Sequence, residues 1–304
     1  MNQEASGPAM FAKIMGGFFW DTYDNLGKVI LFNLIWFLTS LPALLMVYFG
    51  LTVKLPYLLI ALLLIPGIAW LGAGFAGLFY VTQKMVDQKD IPLKDFFIGI
   101  KLYGVKSALY TLLWAGAFFL AFLNIRFYIC LYSSQAKWFG AIIAGILFWA
   151  AVISLFALQF FYPLLTRQNP STKKLFARTY LLTLDNIGVT FLSGLMTFSI
   201  LILTIITGIG ICFFTMTLTA VFMQNLLFEV LDKYEQIERL KQWEEEKKLH
   251  ADQPKEKPVS WHQILPDLKN ADFDNPSADK DQPPAPKWRH QGRGWKDILR
   301  PWDL

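Results

Sequence analysis

Apolar and polar residues are sorted into long blocks along this chain. Residues 29–53, 55–83, 107–125, 138–166 and 186–228 contain no Asp, Glu, Lys or Arg. A helix needs about 20 apolar residues to cross the hydrocarbon of a bilayer. Every block reaches or approaches that length, and buried helices of water-soluble proteins seldom do so repeatedly without a charged face. The last block would form one helix of about 65 Å, roughly twice the thickness of the hydrocarbon, so it must fold back. Thr207-Gly208-Ile209-Gly210 supplies the turn, because glycine accepts positive φ at no steric cost. The pattern predicts an all-α, polytopic membrane protein, a bundle of about six transmembrane helices near 29–53, 55–83, 107–125, 138–166, 186–206 and 211–231.

Between the blocks, three stretches predict amphipathic helices that rest at the membrane surface. Residues 8–20 open with Pro8 and place Phe11, Ile14, Met15 and Phe18 on one stripe. Pro92 opens a second, with Leu93, Phe96, Phe97 and Ile100 as the stripe and Lys94, Asp95 and Lys101 expected to stay wet. In the third, Ser171 is positioned to cap a helix carrying Phe176, Tyr180 and Leu184. Phe79-Tyr80 and Phe161-Tyr162 each close a span ahead of a Pro-marked turn, which raises a parallel internal duplication against the common appearance of any connection between spans.

Charge adds orientation. The chain has 304 residues, 55% of them hydrophobic and 17% charged, with a formal net charge of +5. Lys13, Lys28, Lys84, Lys89, Lys94, Lys101, Lys106, Arg167, Lys173, Lys174 and Arg178 fall on one set of alternate connections, and only Lys54, Arg126 and Lys137 on the other. Because basic residues accumulate on the cytoplasmic side, residues 1–28 are expected inside and, with six spans, so is the C-terminal tail. No small-residue cleavage site follows the polar start, so the first span is expected to be retained. The basic residues accompany no recognition motif, which excludes nucleic acid as the expected partner. Two cysteines, Cys130 and Cys212, imply neither a disulfide framework nor a metal site.

Chemistry inside the blocks is sparse. The uncharged polar residues Asn33, Gln159, Thr190, Ser193, Thr197, Thr215, Gln224 and Asn225 either bond between helices or line a solute path, for which Asn33 and Gln159 are the candidates. Ala69, Ala73 and Gly77 recur every four residues and predict a close helix-packing face, and Pro66 predicts a kink. No span carries the ionisable group that proton-coupled carriers and pumps need. Neither paired carboxylates, a metal-binding His pair nor a Ser with a base is present in the spans, and His250, His262 and His290 stand too far apart in the tail for a metal site. Gly208-Ile209-Gly210 lacks the rest of a dinucleotide fingerprint. The expectation is a non-enzymatic protein with no cofactor.

From Glu229 the composition turns charged. Residues 232–250 predict a cytoplasmic helix, with Glu235–Arg239 and Glu244–Lys248 at the favourable i, i+4 order and an apolar edge of Tyr234, Ile237, Leu240 and Trp243. Residues 251–304 predict a mostly disordered cytoplasmic tail, rich in Pro, Asp, Lys and Gln. Two islands in it read W-x-x-I-L followed by proline and D-L: Trp261, Ile264 and Leu265, and again Trp295, Ile298 and Leu299. They predict a pair of docking motifs for one partner, tethered so that avidity rises. Chance similarity, and docking of the Trp, Lys and Arg residues onto anionic lipid, are the competing readings.

Phe32-Asn33-Leu34-Ile35-Trp36 with Leu41-Pro42, then Ala73-Gly74-Phe75-Ala76-Gly77-Leu78-Phe79-Tyr80-Val81, then Leu158-Gln159-Phe160-Phe161-Tyr162-Pro163-Leu164-Leu165, follow one another in the order and spacing of a known pattern. Over roughly residues 15–230 the chain resembles the YesL-like family of bacterial integral membrane proteins. The resemblance implies a multi-pass protein of the bacterial plasma membrane, associated with carbohydrate uptake, and it supplies no catalytic residue. The expected function is an accessory, scaffold or regulatory role through a membrane or cytoplasmic partner, with a homo-oligomer open; the alternative is a small-solute carrier or channel with an uncharged polar path.

Overall fold

The computed structural model describes residues 7–52, 56–135, 138–208, 210 and 213–251. The described residues form helices and connections with no strand. The helices are α1 (Gly7–Asp24), α2 (Leu26–Thr52), α3 (Tyr57–Val86), α4 (Lys94–Gln135), α5 (Trp138–Gln168), α6 (Thr172–Asp185), α7 (Ile187–Ile206) and α8 (Thr215–Ala251). Five stretches, Leu26–Gly50, Leu62–Val86, Lys94–Ser133, Trp138–Gln168 and Ile187–Thr204, are long and apolar enough to cross a membrane. The chain is therefore a helical membrane bundle. The sixth expected span, 211–231, lies partly outside the described residues, and its described part is diluted by threonines, Gln224 and Asn225. Contacts divide the chain into Met1–Val230 and Leu231–Leu304.

Local sequence sets the helix boundaries. Asn25 separates α1 from α2, its side chain donating to Asp21 O at 2.9 Å while its own carbonyl accepts from Val29 N at 2.8 Å. Asn186 repeats the device between α6 and α7, donating to Leu182 O at 3.2 Å and accepting from Thr190 N at 2.9 Å. Both joints read Asp-Asn-apolar-Gly, at 24–27 and 185–188. The turn after α3 puts Gln88 at φ 54° and the one after α5 puts Asn169 at φ 42°, left-handed residues of the kind that close helices. Gly208, in the turn after α7, takes φ 63°. Pro42, Pro66 and Pro163 sit inside α2, α3 and α5, and each helix continues through its proline.

Two expectations are corrected here. The surface helix at 92–101 is not separate from the following span: α4 runs unbroken from Lys94 to Gln135, because no proline or Asn joint interrupts it. Ser171 stands at the start of α6 but makes no side-chain capping bond. The amphipathic helices are also rotated from the predicted stripes. α1 buries Met10, Ile14, Gly17 and Asp21, and α6 buries Leu175, Thr179, Leu182 and Thr183 while Leu184 is exposed.

The closest helix pair is α3 with α4. A Cβ on Gly77 would lie 2.7 Å from Phe96 O, and one on Gly99 would lie 2.7 Å from Tyr80 Cβ. Gly104 faces Ala73, and Ser107 Oγ donates to Gly72 O at 2.6 Å. Of the three residues predicted for close packing, Ala73 and Gly77 line this seam and Ala69 is half-buried. Small residues matter in lipid because close approach replaces the missing hydrophobic drive between helices.

Burial is lopsided along the bundle axis. The largest fully buried side chains include Phe32, Phe96, Phe160, Phe161, Leu78, Met85, Leu164 and Leu165, all toward the proximal end, where α2 and α4 begin and α3 and α5 finish. Toward the distal end, Phe119, Phe122, Phe127, Ile142, Phe148, Trp149 and Leu203 are exposed.

In the second unit, α8 continues as a charged helix to Ala251. Arg239 lies 3.7 Å from Asp232 and donates to the Glu235 backbone carbonyl, so the geometry differs from the expected Glu235 carboxylate pair. Lys247 sits 4.9 Å from the Trp243 ring.

Replacing Gly77 with Leu should force the seam apart and cost on the order of 1–3 kcal/mol, as overpacking typically does. Thermal unfolding of the protein in detergent should show a lowered Tm for Gly77→Leu and an unchanged one for Gly116→Leu, since a Cβ on Gly116 meets nothing within 4 Å.

Candidate functional site

Two features stand out in the first unit: a set of buried polar residues that knit helices together, and an apolar cavity beside them. The polar set begins with Asn33, about two turns into α2. Its Oδ1 accepts from Met216 N at 3.0 Å and Thr217 N at 2.9 Å. The first amides of any helix lack intrahelical partners, so Asn33 acts from another helix as the cap of α8. Leu218 N then bonds Phe214 O at 2.9 Å, and the ladder proceeds.

About two turns further along α8, Gln224 joins three helices. Its Nε2 donates to Phe79 O in α3 at 3.0 Å and to Thr166 Oγ1 in α5 at 3.2 Å, while its Oε1 accepts from Arg167 Nε at 3.1 Å. Arg167 Nη2 lies 3.0 Å from Asp87 Oδ1. The neighbouring Asn225 donates to Asp21 Oδ2 in α1 at 2.9 Å. Asp21 is 1% exposed, a carboxylate buried within the bundle that the sequence reading passed over. Asp95, expected to stay in water, is instead 3% exposed. It opens α4, where a carboxylate is favoured by the helix dipole, and Lys84 Nζ reaches it at 2.7 Å.

The cavity has a volume of about 360 Å³ and is walled by α3, α4, α5, α7 and α8. Phe75, Phe79, Trp114, Phe118 and Tyr162 supply its aromatic surface, and Met216 and Met223 part of the rest. Phe79 and Tyr162 stack with their centroids 5.4 Å apart. Polar atoms enter the wall through Thr111, Tyr162, Thr197 and Thr219. The Thr111 and Tyr162 hydroxyls share a hydrogen bond of 2.8 Å, and Thr111 also donates to Ser107 O.

Asn33 and Gln159, the residues picked for a polar path, are both buried and neither lines this cavity. Asn33 is committed to α8, and Gln159 Nε2 makes a long 3.4 Å bond to Thr190 O in α7. Thr190 and Thr215 return their hydroxyls to backbone carbonyls, at Asn186 and Gly210. The tail residues Trp261, Ile264, Leu265, Trp295, Ile298 and Leu299 lie outside the described residues. Among the described residues, no group of three His, Cys, Asp or Glu side chains is placed to hold a metal ion.

The cavity wall was not foreseen, although its signal was present: Phe75, Phe79, Tyr162 and Trp114 all lie in stretches read only as apolar pattern. Comparison with family models, with curated proteins and with solved structures finds no match for this chain.

Substituting Asn33 with Leu should leave two buried amides without an acceptor, at about 1–3 kcal/mol for an unmet buried group. Asn33→Leu should lower the Tm in detergent clearly, whereas Asn124→Leu, at an exposed position that bonds only its own helix, should not.

Proposed function

We propose that this chain is a six-span protein of the bacterial plasma membrane, with both termini cytoplasmic, that serves as a non-enzymatic accessory or scaffold for a solute-uptake component. The observation that supports the reading best is α8 itself. One unbroken helix begins at the buried Asn33 contact, passes through the Gln224 and Asn225 bonds, and continues as a charged segment to Ala251. A partner engaging that segment would act on a helix tied to four others by directional bonds, which suits a component that transmits or holds a position. The resemblance to YesL-like proteins and the excess of basic residues on alternate connections supply the location and orientation. The Trp-Ile-Leu motifs at 261–265 and 295–299 are the proposed partner contacts.

A small-solute carrier or channel is the competing reading, and the cavity is the feature that favours it. Its polar lining would then be Thr111, Tyr162, Thr197 and Thr219.

Orientation is open to thiol labelling. In a Cys212→Ser background, Cys130 near the distal end of α4 should react with a membrane-impermeant maleimide added to intact cells. A cysteine substituted at Lys241 should react only after lysis; labelling in the reverse pattern defeats the topology.

For function, the full-length protein purified from its host should bring down one partner stoichiometrically, and Trp261→Ala with Trp295→Ala should reduce the yield about tenfold, the loss that roughly 1.4 kcal/mol produces. Solute flux through liposomes containing the pure protein alone would sink the scaffold reading in favour of the carrier.

A further inference from the structure

The proximal end of the bundle carries positive charge that the protein itself does not neutralise, and the scaffold reading makes no use of it. Residues 96–184 contain no Asp or Glu. Within them α4 contributes Lys106 and α6 contributes Lys173, Lys174 and Arg178, all exposed. None of the four forms an ion pair with a carboxylate among the described residues.

Three hydrogen bonds bring these cations to one place. Lys106 Nζ donates to Asn169 Oδ1 at 2.7 Å and Arg178 Nη1 donates to Gln168 Oε1 at 2.6 Å, so two helices reach consecutive residues where α5 ends. Tyr110, one turn beyond Lys106, shares a hydrogen bond of 2.8 Å with Thr172, the residue before Lys173. Asn169 and Gln168 are neutral, so the charge is positioned without being cancelled. An ammonium has three protons and a guanidinium five, which leaves donors over for an outside acceptor.

What adjoins the cations selects the ligand. The Tyr180 hydroxyl shares a 2.8 Å hydrogen bond with Ser154, well inside the membrane-spanning stretch of α5, so α6 slopes from the proximal end along that stretch. Down the slope its exposed face carries Lys173, Lys174 and Arg178 first, then Leu181 and Leu184. α4 repeats the order, with Lys106 followed by exposed Leu109 and Leu113. A soluble anion makes no use of the leucines, and plain hydrocarbon makes none of the cations. The general excess of Lys and Arg on one side of a membrane requires neither the convergence of two helices nor this order.

From these we propose that the face formed by α4, α6 and the turn between α5 and α6 binds an anionic phospholipid. Its phosphate is held by Lys106, Lys173, Lys174 and Arg178, groups suited to phosphate oxygens, and its acyl chains lie against the leucines. The site requires only that the bundle lies in a bilayer, so the outcomes of the partner and solute-flux experiments do not bear on it.

Native mass spectrometry of the full-length protein in detergent, titrated separately with phosphatidylglycerol and with phosphatidylcholine of the same acyl chains, reads the preference. Phosphatidylglycerol should bind at least about tenfold more tightly. One cation near anionic lipid contributes about a fivefold factor, so Lys106→Gln, Lys173→Gln, Lys174→Gln and Arg178→Gln should each weaken phosphatidylglycerol by about that much and leave phosphatidylcholine unchanged. Lys28→Gln with Lys94→Gln, which removes two cations where α2 and α4 begin, should alter neither. Equal binding of the two lipids would overturn the proposal, and so would an equal loss in the Lys28 and Lys94 variant, which would mean diffuse charge. Glycerol phosphate, a headgroup without chains, should bind at least about tenfold more weakly than the lipid. Equal affinity would assign the cations to a soluble anion and overturn the lipid site. Should Lys106→Gln or Arg178→Gln not fold, Lys173→Gln and Lys174→Gln decide the matter.

Discussion

In an apolar surrounding, every backbone amide that a helix leaves open must find its acceptor inside the protein. The start of α8 is where this constraint bears hardest here. Its first turn offers amides that the helix cannot use, and Asn33 of α2 takes two of them with one oxygen. That single side chain allows a helix to begin among its neighbours. It also fixes α8 in register against α2, and through that register Gln224 meets Phe79 and Thr166, and Asn225 meets Asp21. The bonds are individually modest, but they connect α1, α2, α3, α5 and α8 in one bonded set.

Directional bonds and dense packing occur at the same end. The ion pairs Lys84–Asp95 and Arg167–Asp87 lie there, as do the largest buried rings. At the other end α4 and α5 continue as a pair, with Gly140 admitting the Tyr128 carbonyl, while their remaining faces carry exposed rings. Where lipid is the surrounding solvent, exposed apolar surface carries no penalty, so loose distal packing is consistent with stability. The cavity sits where the packed half meets the open one, and of the residues that line it Trp114 and Thr197 leave an indole N–H and a hydroxyl without a partner.

The sequence made the membrane-spanning helices legible because their signal is solvent-scale: charge-free length survives any detail of packing. The break after α7 was legible for a related reason, since no single helix of that length fits a bilayer: α7 ends at Ile206 and Gly208 adopts positive φ. The seam of Ala73 and Gly77 was half legible; of its other half, Gly99 lay in the stretch read as a surface helix and Gly104 just beyond it. Asp95 shows why such readings fail. A carboxylate in an amphipathic segment is wet by default, and only the tertiary position of Lys84, eleven residues upstream, makes it a buried ion-pair partner. Asn33 and Gln159 were correctly marked as buried polar groups, yet composition cannot distinguish a group that lines a space from one that closes a helix end. The cavity was least legible, because its wall joins Phe75, Trp114, Tyr162, Thr197 and Met216 from five helices.

The misreading at α4 also explains how the bundle is assembled. Three segments lead into spans, and in two of them an Asp-Asn-apolar-Gly sequence breaks the helix, with Asn25 and Asn186 each donating to the carbonyl four residues back. Bonding of this kind competes with the regular ladder and favours a joint. In the third segment the corresponding place, two residues before Gly104, is Leu102, which has no such side chain, and the helix runs straight from Lys94 into the apolar stretch. A continuous α4 brings Phe96 and Gly99 against Gly77 and Tyr80 while Trp114 on the same helix reaches the cavity. The absence of an asparagine at one position thereby makes the ion pair at one end of α4 and the cavity wall at its centre parts of a single rigid element.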